Sequence, residues 1–192
     1  WSLIPGTPLP DGTSVFSAVS TDTAGNVSAP SAPFTLKIDT VAPPLEINTP
    51  VADDDAVNAD EAPAVEITGV GADPNQAVTI TVSDGSNSVM QTTTSDASGN
   101  YSATFDLTGL SDGTLTIDAT ATDAAGNVGS ATQVEIEKET SIPNITINAN
   151  IMGDDVVNED EADEVVVSGI SEPNSDILVT FNDGTNSVSR FV

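Results

Sequence analysis

Two segments recur at a fixed distance along the chain, and that repetition sets the scale on which it folds. Leu45–Ala62 reads LEINTPVADDDAVNADEA, and Ile145–Ala162 reads ITINANIMGDDVVNEDEA. Leu9–Ser28, LPDGTSVFSAVSTDTAGNVS, returns as Leu110–Gly129, LSDGTLTIDATATDAAGNVG. A period of about 100 residues is too long for a solenoid coil and is the size of a whole domain. The repeats divide the chain into 1–43, the C-terminal half of one unit; 44–143, a complete unit; and 144–192, the N-terminal half of a third. The sequence therefore reads as part of a longer series. Multiplying one domain in tandem solves a problem of reach, spacing or multivalency, whereas catalysis needs one particular pocket.

Inside the complete unit the pattern has a period of two. Val65-Glu66-Ile67-Thr68, Val78-Thr79-Ile80-Thr81-Val82, Leu115-Thr116-Ile117-Asp118-Ala119-Thr120 and Val134-Glu135-Ile136-Glu137 alternate apolar with polar residues. This is the signature of antiparallel strands with one face on a core and the other in water. Turn signals separate them at Asp73-Pro74-Asn75, Asp84-Gly85, Ser98-Gly99-Asn100, Asp112-Gly113 and Gly126-Asn127. Strands are expected at 45–48 (A), 65–70 (B), 77–83 (C), 89–94 (D), 101–107 (E), 115–122 (F) and 132–137 (G), with one helical turn at 58–62. About seven strands in about 100 residues predict an all-β fold of tandem immunoglobulin-like β-sandwiches. The Cys…Trp…Cys hallmark of antibody domains is missing, so a fibronectin-type sandwich fits the same pattern.

Charge narrows the function. The formal net charge is −27, from 30 acidic residues against Lys37, Lys138 and Arg190. Such a surface repels phosphate backbones and anionic lipids, which excludes nucleic-acid binding and direct membrane insertion. No apolar run is long enough to cross a bilayer. Disorder does not fit, because 38% of residues are hydrophobic and they alternate regularly. The chain has no Cys and no His, which removes thiol catalysis, His-based acid–base chemistry and ordinary zinc sites. With no disulfide to hold the fold, bound cations are the natural support, since they also relieve carboxylate repulsion.

In an immunoglobulin-like sandwich the A–B and E–F loops meet at the end where the chain leaves, and the B–C and F–G loops where it enters. At the leaving end stand Asp53, Asp54, Asp55, Asn58, Asp60 and Glu61, with Asp112 on the E–F loop, Glu139 in the linker, and Glu172 and Asn174 from the following unit. At the entering end stand Asp39, Asp73, Asn75, Asp123 and Asn127. Calcium takes six to eight hard oxygens in a flexible cage, and Asp54-Asp55-x-x-Asn58-x-Asp60-Glu61 offers them within a few residues. Asp154-Asp155-x-x-Asn158-x-Asp160-Glu161 repeats the set, which favours a bound metal over a merely solvated acidic surface. Magnesium, which demands tighter octahedral geometry, fits less well. The Asp-Gly pairs at 11–12, 84–85, 112–113 and 183–184 read as turns. Asp123 to Asn127, and its copy Asp22 to Asn26, read equally as a tight turn or as ligands. The loops lack the order of an EF-hand. Sequons at Asn26, Asn100 and Asn144 are expected by chance in so Thr/Ser-rich a chain.

Together, the linker Ile38-Asp39-Thr40-Val41-Ala42-Pro43, the loop Gly153–Ala162 and the turn Thr122–Asn127 resemble the bacterial Ig-like extender repeats of giant type I-secreted adhesins of the RTX and biofilm-associated kind. The resemblance implies a non-catalytic, calcium-stiffened stalk at the bacterial cell surface. Neighbouring repeats would be its partners in the same chain, and other modules would bind the host, biofilm or surface ligand. Two departures stand out: Glu139 replaces Asp39 in the second linker, and no glycine-rich nonapeptide repeat occurs. A glycosidase cleft is not expected from a chain with one Trp, one Tyr and five Phe. The alternative function is loop-mediated binding of a glycan or protein in adhesion. The repeat pattern also leaves open, as a minor alternative, that the two half-units pair between molecules.

Overall fold

The computed structural model describes residues 1–192. The chain divides into two compact units, Trp1–Thr140 and Ser141–Val192. The first begins with a hairpin of β1 (Gly12–Phe16) and β2 (Phe34–Ile38), in register from Gly12 opposite Ile38 to Phe16 opposite Phe34. Between them Asp22 to Asn26 makes a tight turn.

A β-sandwich follows. Its strands are β3 (Glu46–Ile47), β4 (Ala56–Val57), β5 (Val65–Val70), β6 (Ala77–Ser83), β7 (Ser88–Thr94), β8 (Tyr101–Phe105), β9 (Gly113–Thr122), β10 (Val128–Ser130) and β11 (Val134–Lys138). One sheet runs β3-β5-β8; the other runs β4-β11-β9-β6-β7, with β10 folded back on β9. Period-two alternation becomes the core directly. Ile67, Val78, Ile80, Val82, Phe105, Leu107, Leu115 and Ile117 are fully buried between the sheets. Their neighbours Thr79, Thr81, Thr116 and Asp118 lie on the outer face. The expected helical turn is present: the Ala62 amide donates to the Asn58 carbonyl, leading into a 3-10 turn at Ala62–Ala64.

All seven expected strands form. β7, the expected strand D, pairs residue for residue with β6 from Ala77 opposite Thr94 to Ser83 opposite Ser88, which places it at the edge of the larger sheet. The hairpin between them explains this. The Asp84 carboxylate accepts the Ser86 and Asn87 amides at 2.8 and 2.6 Å, closing a tight turn that folds β7 straight back onto β6.

The second unit contains β12 (Thr146–Ile147) paired with β13 (Gly169–Ile170), and a hairpin of β14 (Leu178–Asn182) with β15 (Ser187–Phe191). It carries no buried residue. No helix is long and apolar enough to cross a membrane.

Candidate functional site

The acidic A–B loop is held by its own side chains. Asp55 adopts a left-handed backbone (φ 63°), a conformation that Asp tolerates better than most residues, and its Oδ1 accepts the Val51 amide at 2.7 Å. Asp54 Oδ1 accepts the Ala56 amide at 3.0 Å. Asn58 Oδ1 accepts the amides of Asp60 and Glu61 at 2.9 and 3.1 Å, and Glu61 Oε2 accepts the Asn58 amide at 3.0 Å. The last three bonds form a capping box on the turn that follows. The motif therefore has a folding role independent of any ion.

The second copy of the loop reproduces these bonds. Asp155 also has φ 63° and accepts the Ile151 amide at 2.8 Å. Asp154 accepts Val156 at 3.0 Å, Asn158 accepts Asp160 and Glu161, and Glu161 accepts Asn158 at 3.0 Å. The second unit has no core around this loop, so the conformation is written locally. In both copies one carboxylate oxygen of each of the two aspartates and the glutamate accepts a backbone amide. Asp53 and Asp60 are exposed. The donor chemistry suits a hard cation, and the Asn58 and Asn158 carbonyls are already occupied. The side chains nevertheless stand apart: nowhere do three or more acidic groups converge into a metal-holding cluster.

The leaving end is also where the strand G linker is fastened. The Glu137 amide donates to Asp55 O at 2.9 Å and the Glu139 amide to Val57 O at 3.0 Å, extending the parallel pairing of β11 with β4. Asp112 on the E–F turn forms an ion pair with Lys138 (2.6 Å) and accepts Thr140 Oγ1 at 2.9 and 3.0 Å on its two oxygens. The hydrogen bond from Lys138, and then that from Thr140, hold the Asp112 carboxyl below the usual carboxylate range. The preceding hairpin shows the parallel arrangement: Asp11 Oδ1 accepts both the amide and the hydroxyl of Thr40 at 2.9 Å. Reading the Asp-Gly pairs as turns alone missed this. Gly12 and Gly113 make the turns, while the aspartates before them grip the linker.

At the entering end, the F–G turn combines folding with contact. Asp123 is buried, and its Oδ1 accepts the amides of Ala125, Gly126 and Asn127, each at 2.8 Å. Its Oδ2 accepts Asn127 Nδ2 at 2.7 Å, and the same amide nitrogen donates to the linker carbonyl of Asp39 at 3.1 Å. The side-chain bond from Asn127, and then the backbone amides, lower the Asp123 pKa. Gly129 lies under Pro43, where a Cβ would come within 2.1 Å of the proline carbonyl oxygen. Only glycine lets the linker backbone approach so closely. Asp39 itself pairs with exposed Lys37 at 3.1 Å. In the B–C loop the Asp73 and Asn75 side chains are exposed, and Gln76 Nε2 donates to the Thr122 carbonyl. Glu172 and Asn174 are exposed in the second unit, with Asn174 at φ 63° matching Asn75 at φ 57°.

The turn expected at Ser98-Gly99-Asn100 is present, but the part played in it by Asp96 was not read from the sequence. Asp96-Ala97-Ser98-Gly99-Asn100 carries the same D-x-x-G-N pattern as the F–G turns. Asp96 accepts the Ser98 and Asn100 amides and Asn100 Nδ2 at 2.7, 2.9 and 2.8 Å, as Asp22 does for Ala24 and Asn26. Its identical spacing was the available signal.

Residues 45–138 match the family model described as bacterial Ig-like domain, and residues 99–184 match that of bacterial Ig-like domain (group 3). Over residues 45–184, which the two matches span together, this chain belongs to the bacterial Ig-like domains. Similar solved structures include a tetra-tandem repeat in the extending region of a large adhesion protein, at 26% identity and a TM-score of 0.49, covering 96% of this chain and 46% of that one. A Ca2+-stabilized adhesin with which an Antarctic bacterium reaches out and binds ice gives 26% and 0.46, covering 94% and 46%. A bacterial immunoglobulin-like domain from the M. primoryensis ice-binding adhesin gives 29% and 0.35, covering 50% and 96%. The chain thus spans just under half the length of the first two structures. No curated protein sequence matches it.

Proposed function

We propose that this run of Ig-like domains is a non-catalytic extender segment of a large bacterial cell-surface adhesin, spacing a distal binding module away from the cell. The observation that carries the reading is the linker at Asp39–Thr40, which is bonded on both sides. Thr40 is held by Asp11 of the preceding hairpin, and the Asp39 carbonyl by Asn127 of the following sandwich. A linker gripped from both directions transmits orientation from one domain to the next, which is what a stalk requires. Tandem repetition of each half of the domain, with the A–B loop reproduced bond for bond, favours a shared mechanical task over a single recognition site.

The finer part of the proposal is calcium. The second carboxylate oxygens of Asp54, Asp55 and Glu61, with Asp60, and their counterparts Asp154, Asp155, Asp160 and Glu161, would hold the ion after the side chains rotate toward one another. Bound calcium would supply positive charge where the chain's acidity is densest and so lower the repulsion that loosens the loops. The carboxylate oxygens of Asp112 and Asp123 already serve internal bonds, and the Asn127 side chain is held through its Nδ2, so these residues join this set only by giving those bonds up.

Thermal unfolding and small-angle scattering of the 192-residue chain, in calcium, in magnesium and in chelator, test both parts. The expected result is a higher midpoint and a longer, narrower distribution of dimensions in calcium than in matched magnesium. Identical curves in all three conditions would remove calcium. A compact, flexible envelope in every condition would remove the extender, and loop-mediated glycan or protein binding would then lead.

A further inference from the structure

Among the three basic residues, Lys138 alone is buried: its side chain is 3% exposed, against 75% for Lys37. It occupies the inward phase of β11, continuing the row of Val134 and Ile136 into the leaving end of the core. The preceding repeat shows what that position ordinarily holds. Lys138 lies opposite Gly113 of β9, and Ile38 lies opposite Gly12 of β1 in the corresponding hairpin. An ammonium thus stands where the other copy has an apolar side chain, and a buried ammonium is tolerated only if its donors are satisfied. Two acceptors meet it: the Leu110 carbonyl at 3.0 Å and Asp112 Oδ1 at 2.6 Å. Asp112 in turn accepts Thr140 Oγ1. One ammonium therefore ties strand G, the E–F turn and the linker together. In the preceding repeat the equivalent Asp11 accepts only from Thr40 and has no cation beside it.

We propose that Lys138 is a resident cation that fastens the 138–140 linker through Asp112, so that this linker is held without any divalent ion. The inference concerns the same junction chemistry as the proposed function but does not require calcium to bind. It assigns to one side chain the work that a bound ion would otherwise do there. It also explains why Asp112 is unavailable as a metal ligand while Lys138 is in place.

Amide hydrogen exchange on the 192-residue chain tests it, comparing wild type, K138M and D112N, each in calcium and in chelator. Wild-type protection at 138–140 is expected to be equal in the two conditions. K138M keeps the unbranched apolar stem of the side chain and removes its ammonium; D112N keeps the shape of its partner. Each is expected to lower protection at 138–140 by roughly tenfold to a hundredfold, from the loss of a charge-assisted hydrogen bond. Protection within β6 and β9 reports whether the sandwich is intact, so a linker effect is separable from unfolding. Unchanged protection at 138–140 in both variants, or wild-type protection that collapses in chelator, would overturn the proposal. Calorimetric titration of the wild-type chain with calcium reports binding separately. Failure of the calcium reading, with no heat of binding, is thus distinct from failure of the lysine clasp.

Discussion

Gly69 and Tyr101 form the contact on which the smaller sheet depends, and replacing the glycine should break it. Tyr101 on β8 lies across β5 and donates its hydroxyl to the Glu46 carbonyl of β3 at 2.8 Å, spanning all three strands. The ring can cross only because position 69, its register partner, has no side chain. A Cβ there would lie 2.2 Å from Tyr101 Cζ, 2.3 Å from its hydroxyl and 2.4 Å from Glu46 O. Gly69→Ala must displace the ring, so overpacking of about 1–3 kcal/mol adds to the lost hydrogen bond, about 1 kcal/mol, giving about 2–4 kcal/mol in all. Tyr101→Phe removes the bond alone and should cost about 1 kcal/mol. Urea unfolding followed by far-UV circular dichroism measures both. In Gly69→Ala/Tyr101→Leu the ring is gone and only the clash with Glu46 O remains, so the two substitutions should combine to less than their sum, by about 1–2 kcal/mol. Additivity within about 0.5 kcal/mol, or a Gly69→Ala chain as stable as wild type, would refute the reasoning.

The other predictions follow from the same geometry. Phe105→Ala removes a fully buried ring and should cost about 3–5 kcal/mol in the same urea assay. The carboxyls of Asp22, Asp96 and Asp123, held by Asn side chains and turn amides, titrate below the ordinary 3.8. The stability they contribute is therefore present above that value and lost as pH falls through the depressed one; NMR signals of the Asn26, Asn100 and Asn127 side-chain amides should persist at pH 4 and collapse only in stronger acid. Burial, then the Glu46 charge, raises Tyr101 to about 12. Its contribution is complete below pH 10 and lost as pH rises through about 12, so alkaline unfolding followed by circular dichroism should steepen in that window. Asp54→Ala and Glu61→Ala should each lower calcium affinity by calorimetry while leaving the strand signal unchanged; unaltered affinity in both would remove them as ligands.

How much of this was legible depended on whether the signal was local. Strand positions followed from alternation, because a period of two puts Val78, Ile80 and Val82 on one face whatever they pack against. Sheet membership did not follow, since β7 reads equally well in either sheet and only the Asp84 turn closes it onto β6. At the loops, residue types announced oxygen chemistry, but the composition of a loop does not say whether its oxygens point to a cation or to its own amides. Asn58 and Glu61 illustrate the ambiguity, because a capping box and a calcium loop draw on the same residues. Lys138 was invisible for another reason: its role depends on the inward phase of β11 meeting a turn that lies 28 residues earlier.

The internal bonds also limit what calcium can be asked to do. Each A–B loop already has its backbone fixed by Asp54, Asp55, Asn58 and Glu61, and the same conformation forms in the second unit where no core supports it. An ion arriving there does not have to order the loop, so little conformational entropy opposes its binding and most of its effect should appear in relations between loops and linkers. The two linkers would then respond unequally. At 38–40 the only side-chain grip on Thr40 comes from Asp11, and the neighbouring ammonium of Lys37 is exposed and readily screened. At 138–140 a buried ammonium completes the clasp. A stalk built from such repeats would have its stiffness set joint by joint, through the residue at the inward end of strand G. Placing lysine at position 38, opposite Gly12 and next to Asp11 in sequence, should therefore raise protection at 38–40, and exchange in I38K compared with wild type would show whether it does.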